Sequence, residues 1–208
     1  MNVLVLCRGK SLDKIHQIEN DDFDLVLIVN EWSEQMKNEP FKSFLKGKKI
    51  IQYMCRSGPM LPTKEEHQEF NIPYCKLNIL KEEYDKNTGM RRQLENRGIN
   101  TKCMGEEMIG PSIDGKGGFP STGVLAMVAA VVTYKATQVT VFGLDFFEAG
   151  YYTWHSLTRK SDVEHYQPKK GIVAKEFTKN YIKNNPEINF HLYTYADFGS
   201  KLDNLYTN

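Results

Sequence analysis

Residues 120–145, PSTGVLAMVAAVVTYKATQVTVFGLD, constrain the fold more than any other part of the chain. The stretch VLAMVAAVVTYK is apolar nearly all round, and a helix of that kind has to be buried on every side. Its many small residues let it lie close on a sheet. Gln138 to Phe142 (QVTVF) then reads as a strand, with Gly143-Leu144-Asp145 as its exit. A fully buried helix feeding a buried strand points to a parallel sheet covered by helices.

The rest of the chain repeats that alternation. Asn2 to Cys7 (NVLVLC) and Leu25 to Val29 (LVLIV) are short apolar runs suited to buried parallel strands, and Asn30 closes the second. Lys49 to Met54 is a third strand, and Ile72 to Leu77 another, limited by Pro73 to a start or an edge. Phe190 to Tyr193 is a late strand. Ser11 to Ile18 reads as a short helix capped by Ser11, Thr63 to Phe70 as one capped by Thr63, and Ile172 to Asn184 as an amphipathic helix stopped by Asn185-Pro186. The expectation is an α/β, Rossmann-like single domain over residues 1–208, with a mostly parallel sheet and helices on both faces. Residues 81–118 are charged, weakly periodic and end in IDGKGG; they are expected to form a lid or an acceptor-site insertion.

A length of 208 residues suits one such domain, and a formal net charge of +1 gives no strong field to recruit nucleic acid or a membrane surface. Cys7, Cys55, Cys75 and Cys103 are widely spaced, with no CxxC pair, and read as reduced thiols. No segment is long and apolar enough to span a bilayer, and NVLVLC is too short for a signal-peptide core, with Arg8 and Lys10 close behind it. A cytoplasmic protein, with room for self-association, is expected.

In parallel α/β sheets ligands bind beyond the carboxyl ends of the strands. That rule singles out Arg8, Gly9, Asn30 and Asp145. The turn Arg8-Gly9-Lys10-Ser11 is an anion candidate and equally a plain βα turn. Gly115 to Gly123, GKGGFPSTG, brings glycines and hydroxyls to a helix start, which suits an anion, although Ser121 is an ordinary N-cap by spacing. It is neither a Walker loop nor the dinucleotide fingerprint. Asp22-Phe23-Asp24 has the spacing of a metal-binding DxD, but it precedes its strand and so falls at the wrong end of the sheet; no metal site is expected. His155 and His165 lie on a polar, aromatic-rich loop, where either suits a general base near neutral pH or a simple hydrogen-bonded role.

PSTGVLAMVAAVVTYKATQVTVFGLDFF resembles the central motif of sialyltransferases, above all the bacterial CMP-sialic acid family, and its start is similar to that of the animal enzymes. NVLVLCRGKSL resembles the family's opening strand and turn, DFDLVLIVNEW its second strand, and EHYQPKKGIVAKEF its histidine region. The resemblance covers roughly residues 1–33 and 113–180. It implies the sialyltransferase variant of the GT-A-like fold and an inverting, metal-independent transfer of sialic acid or a related sugar from a CMP-linked donor to an acceptor hydroxyl on a glycan or other hydroxyl-bearing molecule. There would be no cofactor beyond the donor. Ser121, Thr122 and Gly123 would bind donor carboxylate or phosphate, with Arg8 and Gly9 beside them. Asn30 would contact the nucleotide, and Gly143 and Asp145 would shape the cytidine pocket. Tyr152 and Tyr166 would steady the departing phosphate, and His165 would be the base. Arg8 stands where the bacterial family usually has asparagine. The rival readings are a non-catalytic nucleotide-binding protein on the same fold and a pyrophosphokinase-like phosphotransferase. The lack of an anchor suits a bacterial or viral source.

Overall fold

Strand β1 (Asn2–Leu6) is the pivot of the sheet, paired in parallel with β2 (Leu25–Val29) on one side and β6 (Gln138–Phe142) on the other. In the computed structural model, which describes residues 1–18, 23–55, 61–79, 81–86, 89–103, 121–146, 148–149, 168–199 and 202–208, the sheet has eight strands. They are completed by β3 (Ile50–Met54), β4 (Cys75–Leu77), β5 (Thr101–Cys103), β7 (Asn189–Tyr193) and β8 (Leu205–Thr207). The order is β5-β4-β3-β2-β1-β6-β7-β8, and every pairing is parallel. The expected mostly parallel sheet is thus wholly parallel. The chain winds outward from β1 to β5, returns across β1, and winds outward again from β6 to β8. That reversal makes the gap beyond the carboxyl ends of β1 and β6 a topological switch point, where folds of this Rossmann-like character open a crevice.

Alternation of side chains along the strands divides the core in two. Val3, Val5, Leu25, Leu27 and Val141 lie on the face covered by α6 (Thr122–Val132), whose residues from Thr122 to Ala130 are all buried. The same face carries Ala174 and Ile182 of α7 (Pro168–Lys183) against Phe190 and Leu192. Leu4, Leu6, Val26, Ile28 and Phe142 point the other way. They meet Leu12 and Ile15 of a 3-10 helix (Lys10–Gln17), Met36 of α1 (Ser33–Lys37) and Leu45 of α2 (Phe41–Leu45). A third cluster joins Met54, Cys75 and Leu77 to Leu94 of α5 (Gly89–Asn96). Among the described residues no helix is long and apolar enough to cross a membrane.

Local chemistry fixes several boundaries. Thr63 caps α3 (Lys64–Glu69) in a full capping box: its hydroxyl accepts from the Glu66 N–H at 3.2 Å while its own N–H donates to the Glu66 carboxylate at 3.0 Å. Pro73 holds the start of β4 back to Cys75. Ser11 is not the cap of the first helical segment; Gly9 occupies that place, and the Ser11 hydroxyl is used elsewhere. The weakly periodic stretch from residue 81 includes α4 (Lys81–Asp85), α5 and the edge strand β5, with residues 104–118 outside the described part. All four cysteines are free thiols.

His67, on α3, is buried. Its Nε2 lies 2.9 Å from Gln52 Oε1, and the Gln52 amide donates to the Asn30 carbonyl at 2.7 Å. Burial holds its imidazole down from an ordinary 6.5 to about 4. The unfolded chain therefore takes up a proton that the folded one refuses. Stability is complete above the unfolded value and drains as pH falls through the window from 6.5 toward about 4. The full loss is about 3 kcal/mol, because each pH unit inside that window removes roughly 1.4 kcal/mol. Urea unfolding at pH 7 and pH 4.5 should show this loss, and His67→Gln should shrink it; an equal loss in that variant would remove His67 as its source.

Candidate functional site

The switch point is built from backbone before any side chain enters. Beyond the last paired residues of β1 and β6, the Cys7 N–H donates to Phe142 O and the Gly9 N–H to Gly143 O, each at 2.8 Å. So close a crossing leaves no room for side chains. A Cβ on Gly9 would sit 2.5 Å from Gly143 O and 2.6 Å from Asp145 Oδ2. Gly143 has φ +72°, a left-handed conformation that glycine takes without strain, and a Cβ there would fall 2.7 Å from Cys7 O. The helix α6 abuts the same spot, because a Cβ on Gly123 would meet Cys7 Sγ at 2.7 Å and Leu144 Cδ1 at 3.0 Å. Gly9, Gly123 and Gly143 thus gather in one place.

Asp145 locks this crossing. Its carboxylate is 2% exposed and accepts three bonds: from the Ser11 N–H at 2.7 Å, the Thr194 hydroxyl at 3.0 Å and the Tyr195 N–H at 3.0 Å. The Ser11 hydroxyl accepts in turn from the Gly143 N–H at 3.1 Å. One carboxylate therefore ties together the segments that leave β1, β6 and β7. Hydrogen bonds from several donors satisfy a buried anion without a counter-cation.

The free donors lie beside it. Ser121 caps α6, its hydroxyl accepting from the Val124 N–H at 3.2 Å. The first backbone N–H groups of a helix have no partner within it and carry its positive dipole end. Thr122 follows, 4% exposed, with a buried hydroxyl that has no hydrogen-bond partner among the described residues. A buried hydroxyl left unpaired costs about 1–3 kcal/mol. Asn30 ends β2 in a left-handed conformation (φ 64°), and its Oδ1 accepts from the Cys55 N–H at 3.1 Å. That bond leaves the Asn30 amide nitrogen as a fixed donor at the carboxyl end of β2. Arg8 is buried in an ion pair with Glu31, so its charge is compensated inside the protein.

Of the residues expected to bind donor, Gly9, Ser121, Thr122, Gly123, Gly143 and Asp145 converge on the switch point, with Arg8 and Asn30 on the strands' adjoining ends. Tyr152, Tyr166, His165 and His155 lie outside the described residues. Asp24 sits at the entrance of the sheet, as its place before β2 implies, its Oδ2 accepting from the Asn2 N–H at 2.7 Å; Asp22 lies outside the described residues. Among the described residues no group of three or more histidines, cysteines and acids is arranged so as to hold a metal ion. Sequence reasoning names Ser11 only as part of an anion-candidate turn and does not single out Glu31, Thr194 or Tyr195. The strand-end rule would have flagged the last two, since they follow β7.

The crossing makes steep demands on substitution. Gly9→Ala should cost about 3 kcal/mol or more, because the two nearest atoms are a backbone carbonyl and a fixed carboxylate. Asp145→Asn, which leaves one of the three donors badly matched, should cost about 1–3 kcal/mol. Unfolding free energies from urea within about 0.5 kcal/mol (the scatter of neutral surface changes) of the parent for both variants would show that the crossing is not what holds the strand ends.

No family model, curated protein or solved structure matches the chain.

Proposed function

We propose that this protein is a sialyltransferase-like, inverting glycosyltransferase that binds a CMP-linked sugar in the crevice beyond β1 and β6. The observation that carries this reading is the amino end of α6: a helix start with a buried Thr122 hydroxyl that has no partner among the described residues, beside a switch point where glycines let the backbone cross closely. Such a place suits a phosphate or carboxylate, since every donor there is fixed before the ligand arrives. The Asn30 amide would reach the nucleotide from β2. The resemblance of residues 120–147 to the sialyltransferase central motif supports the choice of cytidine donor.

Transfer on this reading forms a bond from the acceptor oxygen to the anomeric carbon as the bond from that carbon to the donor phosphate breaks. The electron pair leaves with CMP. The acceptor proton passes to His165. The transition state has oxocarbenium character, and the charge growing on the leaving phosphate is met by the Ser121–Gly123 helix start and the Tyr152 and Tyr166 hydroxyls. No divalent ion has a part in this scheme, and Asp24, which the DxD spacing offers, is held at the opposite end of the sheet. The internal engagement of Arg8 and Asp145 favours one other reading, a nucleotide-binding protein without turnover.

Thermal melts decide the donor. CMP at a hundred times its Kd should add about 2.7 kcal/mol of stability, with or without magnesium, and UMP, GMP and AMP should add less. Thr122→Val should then move two quantities in opposite directions: a more stable free protein, by about 1 kcal/mol as an unpaired buried hydroxyl disappears, and weaker CMP binding. No response to CMP, or one that requires magnesium and a triphosphate, would refute the donor assignment. His165→Ala should lower transfer by about 10²–10⁴-fold and leave the CMP response intact. A parent protein that binds CMP and transfers nothing to any acceptor supports the non-catalytic reading instead.

A further inference from the structure

Tyr195 is unusual among the aromatic residues in being held firmly where it is not buried. It is 46% exposed, yet its hydroxyl donates to the Asp13 carboxylate, 3.1 Å from each oxygen, and its N–H is bound by Asp145. The Lys14 ammonium lies 4.3 Å from its ring centroid and is itself pinned, donating to Thr194 O at 3.0 Å and Asn208 O at 2.7 Å. Lys10 Nζ stands 5.7 Å from the same centroid. Lys10 is exposed and forms no ion pair among the described residues. Burial does not account for a ring fixed at its hydroxyl, its backbone and one face. A rigid aromatic surface offers contact area at little entropic cost, which suits the apolar C–H face of a sugar ring.

Position gives the platform its role. Tyr195 follows β7, and its N–H shares the Asp145 carboxylate with the Ser11 N–H of the first turn. It therefore borders the switch point from the β6–β7–β8 half of the sheet. Asn30 and the end of β2 border it from the other half. In doubly wound sheets the two halves serve two parts of the ligand set. With the nucleotide on the β1–β2 side, the β7 side is left for the second substrate.

We propose that Tyr195 and Lys10 form an acceptor subsite for a sugar ring that carries an acidic group, so that the acceptor is an acidic glycan. Tyr195 stacks on the ring and Lys10 meets its carboxylate. This rests on the transferase reading of the crevice.

The test is a titration of the ¹⁵N-labelled full chain, saturated with CMP, with a glucuronic acid-terminated disaccharide and with its glucose-terminated counterpart. The dispersion of each spectrum reports directly that the variant is folded. The parent should bind the acidic sugar about five- to tenfold more tightly, and Lys10→Gln should abolish that preference while binding the neutral sugar as before. Tyr195→Ala should weaken both by about tenfold. Equal affinities in the parent, a preference that survives Lys10→Gln, or displacement of the sugar by CMP would each overturn the inference. An acid-preferring site in a parent protein whose spectrum does not respond to CMP would instead overturn the transferase reading, and with it the acceptor role.

Discussion

The contact between two stretches of backbone at the carboxyl ends of β1 and β6 is the constraint on which the rest of the molecule depends. Gly9 and Gly143 meet with no side chain between them, and Asp145 closes the join by accepting from the residues that leave β1 and β7. Each part requires the others. The carboxylate is tolerable in the interior because backbone and hydroxyl donors surround it. The donors are in place because the glycines let the strands' exits cross. The helix α6 packs closely because Gly123 presents nothing to Cys7. Any crevice for a ligand inherits its shape from this join.

The same region divides its polar groups into two sets. Asp145, Ser11, Thr194 and the Arg8–Glu31 pair are spent on one another and hold shape. The Thr122 hydroxyl at the start of α6 has no partner among the described residues. A site preorganised for an anion should look like this, with rigid internal bonds around donors that the fold leaves unsatisfied.

What was legible in the sequence follows from length and burial. β1, β2, β3 and β6 are five-residue runs buried almost throughout, so apolar residues fall on both of their faces, and α6 is apolar around nearly its whole circumference. β5 and β8 have three residues each, and α1 and α2 five each, which is too short for either period to show. Asp145 stood out by following a strand, but its partners are 134, 49 and 50 residues away, and no local pattern reveals such bonds. Ser11 misled in an instructive way. A serine before an apolar stripe has the form of a helix cap, and here tertiary structure took its hydroxyl for Gly143 instead. Rigid surface residues such as Tyr195 leave no trace in hydropathy, because what fixes them is geometry.

The central place of β1 has a bearing on synthesis. This strand leaves the ribosome before the other seven, and β2 soon offers it one partner. Its other edge is met only by β6, so the main-chain bond from the Thr137 N–H to Met1 O, at 2.9 Å, closes a loop of most of the chain. The β1–β5 half can assemble in order as it emerges, but it does so with the middle of the final sheet bare along one side and without the α6 cover that spans β1, β2 and β6. An unpaired, strongly apolar strand edge is a template for unwanted pairing. The nascent chain therefore passes through a prolonged interval in which its most adhesive surface is its future centre, and a chaperone that shields β1 until residue 142 has emerged would act where the topology is weakest.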